Sequence, residues 1–173
     1  MIYYSDKSCS STYDSSKTAI GVVVKDNELV LSQIYSSSMH WSSVIVDTSL
    51  TNYQNETNAK TDFNGKSNTA TIMTDDTSNV AAKYCNDYTT AGTSAGDWYL
   101  PAAGELYSYV YGNYSAIKTT ITKLGWTWGA KFLWSSSELD STYAWSVDPL
   151  NGYVHYDGKY NYDTYVSCLL AIN

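Results

Sequence analysis

Residues Trp134 to Asn173 read WSSSELDSTYAWSVDPLNGYVHYDGKYNYDTYVSCLLAIN, and this stretch decides the fold class. With Phe132-Leu133 before it, it holds four β-like runs, Phe132 to Trp134, Tyr143 to Val147, Gly152 to Tyr156 and Tyr165 to Ile172. Turn-forming residues at Pro149 to Gly152 and Asp157 to Lys159 separate them. Apolar Ala144, Val147, Leu150, Val154, Val166, Leu169 and Leu170 are interleaved with Tyr, Asn and Asp, so the segment is anchored and displayed at once. Alternation from Gly152 to Tyr156 puts Tyr153 and His155 on one face and Val154 and Tyr156 on the other. The run YNYDTY, Tyr160 to Tyr165, has hardly any aliphatic partner and would make a poor core strand. Tyr offers large, rigid contact area at low rotamer entropy, and Ser, Asn, Asp and Gly supply adaptable hydrogen bonds, a composition suited to binding surfaces.

Upstream, Ala19 to Lys25 (AIGVVVK) and Glu28 to Tyr35 (ELVLSQIY) flank Asp26-Asn27 and read as a β-hairpin. A Ser-rich loop holding Met39, His40 and Trp41 follows, then a strand-like run from Ser43 to Val46. Residues 47–78, rich in Thr, Asn, Asp and Ser, read as mostly irregular, with a short helix over Glu56 to Phe63. Ser78-Asn79 can cap a helix from Val80 to Tyr88, whose apolar residues share one face. In GDWYLPAAGEL, Gly96 to Leu106, an extended Trp98-Tyr99-Leu100 leads to Pro101, which opens a helix without losing a hydrogen bond. A further helix from Ser115 to Leu124 stops at Gly125. Helices in the middle and strands at both ends give a single α+β domain over 1–173 in which the terminal strands pair.

Tyr (18) and Trp (6) greatly outnumber Phe (2), so the aromatics serve surfaces as well as core. The net charge is −7 with a pI near 4.5, and all ten basic residues are Lys. Nucleic acid is an unsuitable partner, because phosphate binding needs a clustered basic patch and favours the Arg fork. No apolar run long enough to span a bilayer is present, and MIYYSDKSCSS has no export-signal pattern. The expectation is no membrane insertion and a setting that is cytosolic, part of a longer exported chain, or virion-borne. Cys9, Cys85 and Cys168 show no zinc-ligand spacing and read as small buried hydrophobes with at most one disulfide.

Chemistry-bearing patterns are sparse. His40 and His155 sit in no catalytic motif, and the serines around His40 lack the nucleophile elbow of hydrolases. Asp75-Asp76 and the Asp157 to Asp163 region lack the spacing of calcium loops and read as solvated acidic faces.

Two motifs carry a resemblance to a known group. GDWYLPAAGEL is similar to the G-W-x-L-P-[ST]-x-x-E-L signature of a bacterial and phage family with the C-type lectin fold. Leu133 to Glu138 (LWSSSE), Ala144-Trp145 and Val166 to Ile172 resemble that family's Y-W-S-S-[ST]-E, A-W and V-R-x-V-L-A-F ending. With the IGVVV opening they cover nearly the whole chain. More narrowly, the ending resembles the variable proteins of diversity-generating retroelements, in which miscopied adenines turn Asn codons into Tyr, Ser, Asp, His and Thr at scattered sites of a fixed scaffold. Ser167-Cys168 replaces the usual Arg-containing step, and Ile172-Asn173 replaces an aromatic end.

The resemblance implies a C-type lectin-like (formylglycine-generating-enzyme-like) fold and a non-enzymatic ligand-binding module without cofactor or metal. Its contact residues would be Asp140, Tyr143, Ser146, Asp148, Asn151, Tyr153, His155, Tyr156, Asp157, Tyr160, Asn161, Tyr162, Asp163 and Tyr165, within a display segment from about Asp140 to Ser167. The E-P-N and W-N-D elements of calcium-dependent lectins and the reactive cysteine pair of formylglycine-generating enzymes are absent from the sequence. The expected partner is a cell-surface protein or glycan receptor, met at a cell or virion surface, with oligomerisation or attachment to a larger fibre or surface protein. The other readings are an enzyme of the formylglycine-generating or hydrolytic type, and a structural module of a pilus, spike or tail fibre.

Overall fold

The computed structural model describes residues 1–34, 37–128, 132–161 and 163–172. The opening hairpin forms as β3 (Ala19–Lys25) and β4 (Leu29–Leu31), with Asn27 at φ 56° in the turn. They join β1 (Ile2–Tyr4), β2 (Cys9–Ser10), β5 (Trp98–Tyr99) and β9 (Leu169–Ala171) in a sheet of order β2-β1-β3-β4-β9-β5. The C-terminal strand therefore enters the N-terminal sheet, antiparallel to β4 with Val30 opposite Leu170. It does not pair with the first strand, as the simplest reading of paired termini would have it.

This sheet is covered on both faces, which explains its unbroken apolar runs. Val22, Val24, Leu29, Leu31 and Leu169 point into one core with Leu106, Val110, Ile117 and Ile121. Val23, Val30 and Leu170 point into a second core with Trp41, Ile72, Trp98, Leu100 and Trp134. Trp98 and Trp134 are wholly buried and Trp145 nearly so. Each indole N–H has an acceptor: Thr93 Oγ1 at 3.0 Å, the Met39 carbonyl at 2.8 Å and the Tyr53 carbonyl at 3.0 Å respectively. Such pairing is what makes a buried Trp affordable.

The helices follow from capping as much as from apolar pattern. α1 (Glu56–Ala59) is shorter than expected and starts where Asn55 accepts the Asn58 N–H. α3 (Ala81–Asp87) is tied by Asn79 Oδ1, which accepts the Lys83 N–H at 2.7 Å. Pro101 precedes α4 (Ala103–Glu105), where Glu105 reaches back to the Ala102 N–H; a π-helical stretch, Leu106–Tyr111, continues it. Gly104 has no room for a Cβ, which would stand 2.4 Å from the Asp62 carbonyl oxygen. α5 (Tyr114–Lys123) ends as expected at Gly125, φ 67°.

Two local expectations are corrected. α2 (Gly65–Asp75) lies inside the stretch read as mostly irregular. Its buried positions are Gly65, Asn68, Thr69 and Ile72, so a mainly polar face is held by hydrogen bonds: Asn68 donates to Asp62, and Thr69 accepts the Leu100 N–H. Apolar periodicity is blind to such a helix. Ser43 to Val46 is not a strand but a loop, with Val44 and Ile45 turned to solvent.

A smaller sheet, β6 (Leu133–Glu138), β7 (Tyr143–Val147) and β8 (Val154–Gly158), packs against the same cores. Leu133 also bridges Tyr165 in parallel fashion, which fastens the C-terminal segment to β6. Among the described residues no helix is long and apolar enough to cross a membrane.

Candidate ligand-binding face

The site is built from two hairpin turns, and two aspartates shape them. Asp140 Oδ1 accepts the N–H groups of Thr142 and Tyr143, closing the β6–β7 turn. Asp148 Oδ1 accepts the Leu150 N–H and its Oδ2 the Asn151 amide, closing the β7–β8 turn. Such Asx turns satisfy backbone donors that no strand partner reaches. The strands between are in continuous register, with Trp145 opposite Tyr156 and Ser146 opposite His155.

On this frame the aromatics form a connected array around Tyr156. Its ring meets Tyr143 edge-on at 5.4 Å and Trp145 edge-on at 5.6 Å, and stacks with His155 at 5.3 Å. His155 in turn lies 6.2 Å from Phe132. Trp145 is buried while Tyr143, His155 and Tyr156 are exposed, so a core side chain props an open cluster. Edge-to-face contacts of this kind fix ring orientation. Tyr153, at 67% exposure the most open large hydrophobic side chain among the described residues of the segment, lies beyond the β7–β8 turn, and Tyr160 stands just past β8.

The structure divides the expected contact residues. Tyr143, Asn151, Tyr153, His155, Tyr156, Tyr160, Asn161 and Asp163 are exposed, and Asp140 and Asp157 are half-buried. Tyr162 lies outside the described residues. Two prove to be buried. Ser146 is wholly buried, its hydroxyl spent on the His155 carbonyl and on Asp157 Oδ2, each at 3.2 Å. Asp148 is buried because its carboxylate serves the turn. Tyr165 is half-buried against the first core, its backbone laddered to Phe132 and Trp134. Tyr156 shares its alternation face with buried Val154 yet stands open, on an edge strand of the sheet where it overhangs Trp145.

Exposed apolar side chains missed in the sequence border this face. Val44 and Ile45 are 44% and 63% exposed, and the neighbouring Val46 N–H bonds to the Ser141 carbonyl beside the β6–β7 turn. What holds that loop is an ion pair sealed from solvent. Lys159 pairs with Glu138, both side chains fully buried, and donates to the Val46 carbonyl at 2.6 Å. Its ammonium lies 4.5 Å over the Trp41 ring, and its carbonyl accepts the N–H groups of Trp41 and Ser42. Glu138 also accepts the Thr48 hydroxyl. Burial pushes the Glu138 pKa up against the opposing pull of Lys159 and Thr48. The Glu of the W-S-S-S-E run was the available signal; nothing in Asp157-Gly158-Lys159 marked the lysine as interior.

Ser146, His155 and Asp157 bring hydroxyl, imidazole and carboxylate together, but not in the order of a hydrolytic triad. The hydroxyl bonds to the carboxylate and not to the imidazole, and His155 Nε2 stands 3.9 Å from Asp157 Oδ1. A nucleophile needs its base in direct reach. Among the described residues, no group of three or more His, Cys, Asp or Glu side chains lies close enough to hold a metal ion. The face can recognise by shape, ring contact and hydrogen bonding.

No family model and no curated protein matches the chain. A solved structure, a fimbrial protein from Bacteroides ovatus, shares the fold with a TM-score of 0.70 at 17% identity. The alignment covers 98% of this chain and 48% of that one, so the chain spans about half of that protein's length.

Proposed function

We propose that this chain is a surface-exposed, non-enzymatic binding module with a C-type lectin-like fold, which captures a cell-surface protein or glycan receptor through the β7–β8 aromatic face without calcium. The observation that carries this reading is the Tyr143–Tyr156–His155 cluster, open to solvent yet propped by buried Trp145. Rigid exposed aromatics with adaptable polar neighbours are what recognition surfaces use. The Cys85–Cys168 disulfide supports an oxidising, extracellular setting. The scatter of Tyr, Asn, Asp and His over a fixed frame supports diversification by a retroelement.

The test is an array of purified ectodomains and glycans probed with a bivalent fusion of the chain, with and without chelator. Wild type should give chelator-insensitive hits that Tyr143→Ser/Tyr156→Ser abolishes. Hits indifferent to those substitutions, or lost with chelator, would overturn the reading. For diversification, the neighbouring DNA should carry a reverse transcriptase and a near-copy of the 3′ end differing at adenines; their absence removes that part of the proposal.

A second reading, a module of a larger surface fibre, is favoured by the fold shared with a protein described as fimbrial, about half of whose length this chain spans. The two are compatible, since a fibre tip both assembles and binds.

A further inference from the structure

Away from the aromatic face, the loop 49–53 and α2 enclose a polar cleft of about 240 Å³. Its floor is buried and fixed: Asp62 is 1% exposed, Ser137 1% and Asn68 8%. Asp62 Oδ2 accepts Ser137 Oγ at 2.7 Å and Asn68 Nδ2 at 2.8 Å, and Oδ1 accepts the Asn64 N–H at 3.0 Å. Thr51, Tyr53 and Thr71 line the sides.

We propose that this cleft is a second binding site, which takes a neutral polyhydroxylated ligand the size of one sugar ring. Three observations select that class. The volume falls below the roughly 300–1,000 Å³ of pockets for drug-sized ligands, so a peptide is too large, and the mostly Ser, Thr, Asn and Asp lining disfavours a flat aromatic. The charge balance excludes simple ions. No lysine lines the cleft while Asp62 sits in its floor, which opposes anions. Both Asp62 oxygens already face N–H or O–H donors, which a metal ion would have to displace. What remains for a ligand is a mixture of donors and acceptors. Among the described residues the Thr51 and Thr71 hydroxyls make no side-chain hydrogen bond, and Asn68 engages only its amide nitrogen, with Asp62 and Ser136. Preorganised polar groups left unpaired inside a concavity discriminate for a ligand that matches them.

The site does not depend on the aromatic face, and the experiment separates the two. Methyl glycosides of glucose, galactose, mannose and N-acetylglucosamine are titrated into the isotopically labelled chain while amide resonances are followed by NMR. At least one should shift the amides of 49–53, 64–71 and Ser137 saturably, with a dissociation constant on the order of millimolar. Thr51→Val/Thr71→Val should weaken that response about tenfold or more, and Thr51→Val alone, at an exposed position, should weaken it measurably with the fold intact. In Tyr143→Ser/Tyr156→Ser the cleft amides should respond as they do in wild type. Silence of the cleft amides with all four glycosides, shifts unchanged in the valine variants, or a response to calcium alone would overturn the proposal.

Discussion

Lys159 shows what a single residue conceals in the sequence. It stands in an Asp-Gly-Lys turn, where a lysine is ordinarily solvated, yet the fold buries it completely against Glu138 and Trp41. Removing one member of a buried pair strands the other charge, so Lys159→Met should cost about 3–5 kcal/mol. The double variant Glu138→Leu/Lys159→Met should be much milder than the sum of its parts, as measured by urea unfolding. Additive losses would mean that the two side chains do not act as a pair. Glu105 offers a second residue-scale test. Burial raises its pKa to about 7, against the N–H of Ala102 and the hydroxyl of Tyr99, which pull the other way. From about 4.5 to about 7 the folded chain holds a proton that the unfolded chain releases, so this group makes stability fall as pH rises through that window, by on the order of 3 kcal/mol at most. Glu105→Gln should flatten that part of the stability profile; an unchanged slope would place its origin elsewhere. Ser146 and Asp148 teach the converse lesson. They share the residue alphabet of their exposed neighbours, and only the strand register and the turn hydrogen bonds reveal them as scaffold.

At the scale of elements, the strands were legible where apolar runs met turn residues, as in β3, β4, β7 and β9, and the helices where caps and an apolar face coincided, as in α3 and α5. α2 was not, because polar Asn68 and Thr69 occupy its buried face, held by a buried Asp62 whose own burial is tertiary and by Leu100, 31 residues on. The edge position of β8, which lets Tyr156 stand open on the same alternation face as buried Val154, was likewise invisible. These elements predict a separation of roles within one hairpin. Tyr143→Ser, Tyr153→Ser and Tyr160→Ser remove exposed rings and should each shift stability by no more than about 0.5 kcal/mol. Trp145→Ala empties a buried site whose indole N–H bonds to Tyr53, and should cost about 3–5 kcal/mol. Thermal unfolding of the four variants is the measurement, and tyrosine losses as large as that of Trp145 would reassign the face to the core.

At the scale of the whole molecule, the α+β order follows from the arrangement of runs, while the covalent frame does not, since three cysteines leave the pairing open. The structure joins Cys85 in α3 to Cys168 just before β9 and leaves Cys9 free and exposed. That bond closes a loop of 83 residues' separation, linking the helix layer to the strand that completes the main sheet between β4 and β5. Chain entropy alone would give such a closure about 4.5 kcal/mol, through its restriction of the unfolded ensemble. In a domain of this length each kcal/mol moves the melting temperature by about 2–4 °C. Cys85→Ala/Cys168→Ala should therefore melt about 9–18 °C lower, whereas Cys9→Ser, at an exposed edge strand, should leave the midpoint within a degree or so. Wild type treated with reductant should converge on the double variant. A reduced chain that melts with the oxidised one would mean that packing of Cys85 and Cys168 among Trp98, Val166 and Leu170, and not the covalent link, holds α3 to the sheet.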